Sequence, residues 1–130
     1  MSDSFSNDTS TSISDLKQIV AEFVAERDWR QFHSPKNLSM AMAIEVAELM
    51  EHFQWISMDE SRNLSENKSK RSEIEEEVSD VLCYLLAFAN EMNIDLASAM
   101  QAKMVKNRQK YPAETFKGRF GVDDVRSQSS

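Results

Sequence analysis

One stretch of this chain repeats. Residues 42–53 reappear, in pattern, 32 positions later: Glu45 aligns with Glu77 and Glu48 with Asp80, while Val46, Leu49, Met50 and Phe53 align with Val78, Val81, Leu82 and Leu85, and His52 with Tyr84. A wheel of ~100° per residue gathers Met42, Val46, Leu49, Met50 and Phe53 into one apolar arc beside Glu45. Glu48 falls about 60° and His52 about 20° to the other side of Glu45. The second copy does the same, with Ile74, Val78, Val81, Leu82 and Leu85 as the arc and Asp80 and Tyr84 beside Glu77. Residues three apart are neighbours on a helix surface. Each helix therefore carries two carboxylates one turn apart, on the edge of its apolar face.

The remaining residues fit the same helical reading. The chain has 130 residues but only two Gly and two Pro, which leaves little punctuation for hairpins. Ala, Leu, Met, Glu, Lys and Gln are plentiful and favour helix. Four helices are expected, at about Ile13–Trp29, Leu38–Ile56, Ser72–Met92 and Leu96–Lys110. Ser12 with Asp15 can cap the first and Asp95 the fourth, and Pro35 suits a first helical turn. Part of Ser57–Lys70 is open to helix. Residues 1–12 read as a disordered tail, 13–112 as one domain, and 113–130 as a mobile C-terminal tail. The expectation is an all-α, four-helix bundle completed by oligomerisation. The methionines, among them Met40, Met42, Met50, Met100 and Met104, are read as fillers of core or interface.

Charge and cysteine content narrow the function classes. The formal net charge is −7, opposite to the basic footprint of a protein that binds nucleic-acid polymers. The single cysteine, Cys83, cannot form an internal disulfide and fits a reducing cytoplasm. It lies among Val81, Leu82, Leu85 and Leu86 and reads as an inert, partly buried thiol. The sequence offers no signal peptide or membrane span.

If the two similar helices pack antiparallel through their apolar arcs, Glu45, Glu48, Glu77 and Asp80 converge. Four like charges in a partly dry site repel unless cations are present. All-oxygen ligands favour a hard ion, Mg²⁺ or Mn²⁺. The bland alternative is a solvated acidic rim; Glu73, Glu75 and Glu76 fit that description. A di-iron site needs Glu-x-x-His, and here His52 stands four residues after Glu48, out of register.

Four blocks in order carry a resemblance. They are Arg27-Asp28-Trp29-Arg30-Gln31-Phe32-His33-Ser34-Pro35-Lys36-Asn37-Leu38; Glu45-Val46-Ala47-Glu48-Leu49 with Phe53-Gln54-Trp55; Glu76-Glu77-Val78-Ser79-Asp80-Val81-Leu82 with Tyr84-Leu85; and Lys103-Met104 with Asn107-Arg108 and Tyr111-Pro112. Together they resemble the all-α MazG-like nucleotide pyrophosphohydrolases, and within these the dCTP pyrophosphatase branch. The resemblance implies that Glu45, Glu48, Glu77 and Asp80 hold Mg²⁺ and form the catalytic set. It implies that Trp29, Phe32, His33, Trp55 and Tyr84 shape a nucleotide pocket, and that Lys103, Asn107, Arg108 and Tyr111 approach phosphate. Helix 1 lacks the pocket histidine some relatives carry. The implied reaction is hydrolysis of dCTP, or a modified dCTP, to the monophosphate and pyrophosphate. The implied assembly is a homodimer or a homotetramer built as a dimer of dimers. Two other readings stand beside it: a broad-specificity triphosphate pyrophosphatase, and a noncatalytic helical interaction module.

Overall fold

The computed structural model describes residues 5–119. Its described residues hold six α-helices and no strand: α1 (Ile13–Glu26), α2 (Pro35–Glu51), α3 (Met58–Asn63), α4 (Lys68–Met92), α5 (Leu96–Lys110) and α6 (Ala113–Phe116). The four expected helices correspond to α1, α2, α4 and α5, so the all-α reading holds. The two additions are short, one in the polar stretch left open above and one in the segment read as the C-terminal tail.

The helix boundaries have local causes. α1 starts at a reciprocal capping box: the Ser12 hydroxyl accepts from the Asp15 amide and the Asp15 carboxylate from the Ser12 amide. It ends three residues earlier than expected, because Asp28 turns left-handed (φ 52°). Trp29 N–H then donates to Val24 O and Asp28 N–H to Ala25 O, both at 3.1 Å. This is the Schellman closure, in which one left-handed residue satisfies the orphan carbonyls of a helix end. α4 closes the same way at Asn93 (φ 53°), with Ile94 N–H donating to Ala89 O. Aspartate and asparagine thus take the role glycine usually has.

α2 begins on Ser34, whose hydroxyl accepts from the Asn37 amide, with Pro35 as its first residue. It ends at Glu51 rather than Ile56. Ser57 is extended (ψ 167°) and caps α3 in a second capping box with Glu60, so helix cannot run through it. Before α1, residues 7–10 form a turn in which Asn7 Oδ1 accepts from the Thr9 amide and hydroxyl. Residues 1–4 and 120–130 of the expected tails lie outside the described residues.

The chain divides into two compact units, one ending at Ile94 and one beginning at Asp95. In the first, α2 and α1 both pack on α4. His52, at the end of α2, faces Glu73 and Glu77 of α4, whereas Glu45, two turns earlier, feels Asp80, further along α4. Positions fall along one helix as they rise along the other, so the pair is antiparallel. Among the described residues the buried apolar ones are few: Leu38 on α2 and Leu86, Ala87 and Ala89 on α4. The second unit consists of α5, capped by Asp95 through the Ser98 amide, and α6. Among the described residues no helix is long and apolar enough to cross a membrane.

Candidate metal and nucleotide site

Antiparallel packing brings three of the four acids to one place. Glu45, Glu48 and Glu77 each offer a carboxylate oxygen within 4.8 Å of the other two. Asp80 stands close enough that its charge acts on both Glu45 and Glu77. Among the described residues no lysine or arginine pairs with any of the four acids. Only His52 approaches, with Nε2 3.9 Å from Glu77 Oε1 and Nδ1 3.9 Å from Glu73 Oε2.

Two carboxylate oxygens, Glu45 Oε2 and Glu77 Oε2, are buried with no hydrogen-bond partner. Burial raises the pKa of Glu45, followed by a hydrogen bond shared with Glu48 and the negative charges of Glu48, Asp80 and Glu77. Glu77 is raised for the same leading reasons, with His52 pulling the other way. A buried acceptor without a donor costs free energy, and like charges in a low-dielectric site resist joint ionisation. A hard divalent cation removes both penalties and accepts this all-oxygen donor set. The residues present therefore fit a magnesium-type ion.

Beside the acids opens a cleft of about 430 Å³, within the range of small-molecule sites. Glu45 and Asp80 are part of its lining. α1 supplies Ile19, Val20, Phe23 and Val24; α4 supplies Cys83, Tyr84 and Ala87; Trp29 and His33 close the rim. The left-handed stop at Asp28 sets that rim. It folds Trp29 back so that its ring meets Phe23 edge-on, with centroids 5.6 Å apart. His33 follows at 6.3 Å from Trp29, and its Nδ1 is buried without a partner.

Not every residue singled out in the sequence lines this cleft. Phe32 is exposed in the 3₁₀ turn Arg30–Phe32, and Trp55 lies 87% exposed in the connection after α2. Lys103, Asn107, Arg108 and Tyr111 belong to the second unit, on α5 and at its end. There the Tyr111 ring meets Phe116 edge-on at 5.2 Å. Conversely, the cleft has walls the sequence did not reveal. Val20, Phe23 and Val24 fall at helical spacing with Ile13 and Leu16 in one apolar stripe, and nothing in that spacing separates a stripe facing a cavity from one facing a core; Ile19 lies outside the stripe. Cys83 lines the cleft, with its residue surface exposed and its thiol partly desolvated. Burial around its thiol and the Asp80 charge raise its pKa, which leaves it a poor nucleophile.

An all-α unit with two antiparallel acid pairs beside a nucleotide-sized cleft defines a class, that of helical hydrolases whose carboxylates work with divalent metal. Comparison with known proteins gives the family. Residues 40–119 match the model of the MazG-like family, and the chain belongs to that family. It is similar to dCTP pyrophosphatase 1 of Rattus norvegicus (44% identity over 114 residues, 88% of this chain and 67% of that protein). It is equally similar to dCTP pyrophosphatase 1 of Homo sapiens (44% over 109 residues, 84% of this chain and 64% of that protein). Among solved structures it resembles a pyrophosphatase from Archaeoglobus fulgidus, with a TM-score of 0.72 and 44% identity, covering 77% of this chain and 92% of that one.

Proposed function

We propose that this chain is a divalent-metal-dependent pyrophosphohydrolase that converts dCTP and water to dCMP and pyrophosphate in the cytoplasmic nucleotide pool. The observation that supports the reading is the meeting of three glutamates, two with orphaned buried oxygens, with the Asp80 charge acting on two of them, beside a cleft of nucleotide size. The likeness to proteins named dCTP pyrophosphatase 1 supports the choice of substrate.

Glu45, Glu48, Glu77 and Asp80 would hold Mg²⁺, with Mn²⁺ as a substitute. When bound, the ion supplies charge neutralisation at the triphosphate, the main demand of phosphoryl chemistry. In the reaction a water oxygen bonds to the α-phosphorus and the bond from that phosphorus to its β-bridging oxygen breaks. Pyrophosphate leaves. Glu48, the most exposed of the three clustered glutamates, is assigned to orient the water and accept its proton. Trp29 and Tyr84 flank the base, and the free His33 Nδ1 meets its polar edge. The apolar α1 wall suits a substituent at cytosine C5. On sequence alone the proposal extends to Phe32 and Trp55 at the nucleotide and to Lys103, Asn107, Arg108 and Tyr111 at phosphate. It also includes a homodimer or homotetramer.

Pyrophosphate release from all canonical triphosphates and from 5-methyl-dCTP, with Mg²⁺ and with chelator, tests the reading. The expected result is preference for dCTP and its 5-modified form, abolished by chelator. Equal rates on every base would replace it with a broad-specificity enzyme. No turnover of any triphosphate would leave a noncatalytic helical module.

A further inference from the structure

α1 forms one wall of the cleft, yet no residue of α1 is fully buried. A helix with so little core contact is not held at a fixed distance by apolar packing alone. Two long-range polar contacts join it to the end of α4, and both pass through Lys17. Asn90 Nδ2 donates to the Lys17 backbone carbonyl at 3.1 Å. Lys17 Nζ donates to the carbonyl of Ile94, just past the left-handed stop of α4. Both are part-buried, where a hydrogen bond is less exposed to competition from water. The next residue, Glu91, pairs at 3.4 Å with Arg30 of the turn that carries His33. Arg30 is 81% exposed, so that pair contributes little; the Lys17 contacts are the stronger link.

Lys17 and Asn90 lie within one helical turn of the cleft-lining residues Ile19, Val20 and Ala87, and neither lines the cleft itself. We infer that Lys17 and Asn90 are positioning residues: their clip sets the spacing between the α1 wall and α4, and through it the fit of the nucleotide base. This rests on the dCTP reading above and deepens it. On α4 Asn90 stands about three turns beyond Asp80 and further still from Glu77, so loosening the clip acts on base binding and leaves the acids in place.

The test uses N90A and K17M in the full chain. Alanine suits the interior of α4, and methionine keeps the Lys17 stem without its donor. Expected is a KM for dCTP raised about three- to tenfold in each variant, the effect of losing one intramolecular hydrogen bond. kcat and the Mg²⁺ concentration for half-activation stay near wild type, and K17R, which restores a donor, returns KM toward normal. A second readout is free of catalysis. In a W55F background Trp29 is the sole tryptophan, and N90A increases its quenching by acrylamide.

Folded N90A and K17M with unchanged KM and unchanged quenching would overturn the clip. So would a fall in kcat and metal activation as large as the change in KM, because that marks general loss of structure. If the wild-type chain turns over no triphosphate, the proposed activity falls, and the quenching measurement still decides whether the clip positions α1.

Discussion

At the scale of single residues, Glu45 and Glu77 are held in a state they resist. Their raised pKa values mean that the folded, metal-free chain binds protons that the unfolded chain has released. The sign follows from linkage: stability falls as pH rises from the ordinary carboxylate value through the raised ones. Metal-free protein will therefore melt at a higher temperature at mildly acidic pH than at neutrality, as far as these two groups decide it. At neutral pH, E45Q and E77Q will raise the melting temperature of chelator-treated protein. The same variants will lose pyrophosphohydrolase activity by a factor of 100 or more, roughly the scale of losing one charge-stabilising group in an active site. Mg²⁺ will raise the melting temperature of the wild type and leave E45Q/E77Q unmoved. Differential scanning fluorimetry with and without chelator reads all of this; a wild type indifferent to Mg²⁺ would remove the metal site. The acids were legible because the repeat places both pairs at one angle on helices of the same register. The orphaned His33 Nδ1 was not, since burial of one ring atom depends on how a turn folds over a helix far away in sequence.

At the scale of elements, the stops matter more than the helices. Periodicity gave α5 and the end of α4 to the residue because Asp95 and Asn93 sit where the apolar pattern begins or ends, but it began α4 four residues late, since the cap at Asn67 precedes a polar first turn. It overran α1 by three residues, since Asp28 is unremarkable in a sequence until its φ is known. It overran α2 because the capping box of Ser57 and Glu60 competes with continuation. The Asp28 stop carries a prediction of its own. D28A places a Cβ without a compensating polar side chain in the left-handed region and will cost about 1 kcal/mol, measurable by urea denaturation. D28G relieves the strain and will be at least as stable as wild type. D28A will also raise KM, since Trp29 owes its contact with Phe23 to that turn.

At the scale of the molecule, the balance of apolar surface is unusual. Among the described residues two leucines and two alanines are buried, while Met40, Ile44, Val46 and Met50 of α2 and Val78 and Leu82 of α4 remain exposed. Fully burying one leucine contributes about 1.5–3 kcal/mol, so four small interior positions are a thin basis for a fold of this length. Exposed apolar faces of this extent mark contact surfaces, which is the support for the proposed homo-oligomer. Light scattering will find at least a dimer at micromolar concentration, and a monomer there would refute the assembly. The all-α class was visible in the sequence; the thinness of the interior was not, because an apolar stripe reads alike whether it meets its own chain or another. In the proposed assembly, a chain so sparsely filled would not separate folding from meeting its copies. Its melting temperature will climb with dilution reversed, rising at each tenfold increase in protein, and at trace amounts the hydrolase will go silent before any nucleotide runs out.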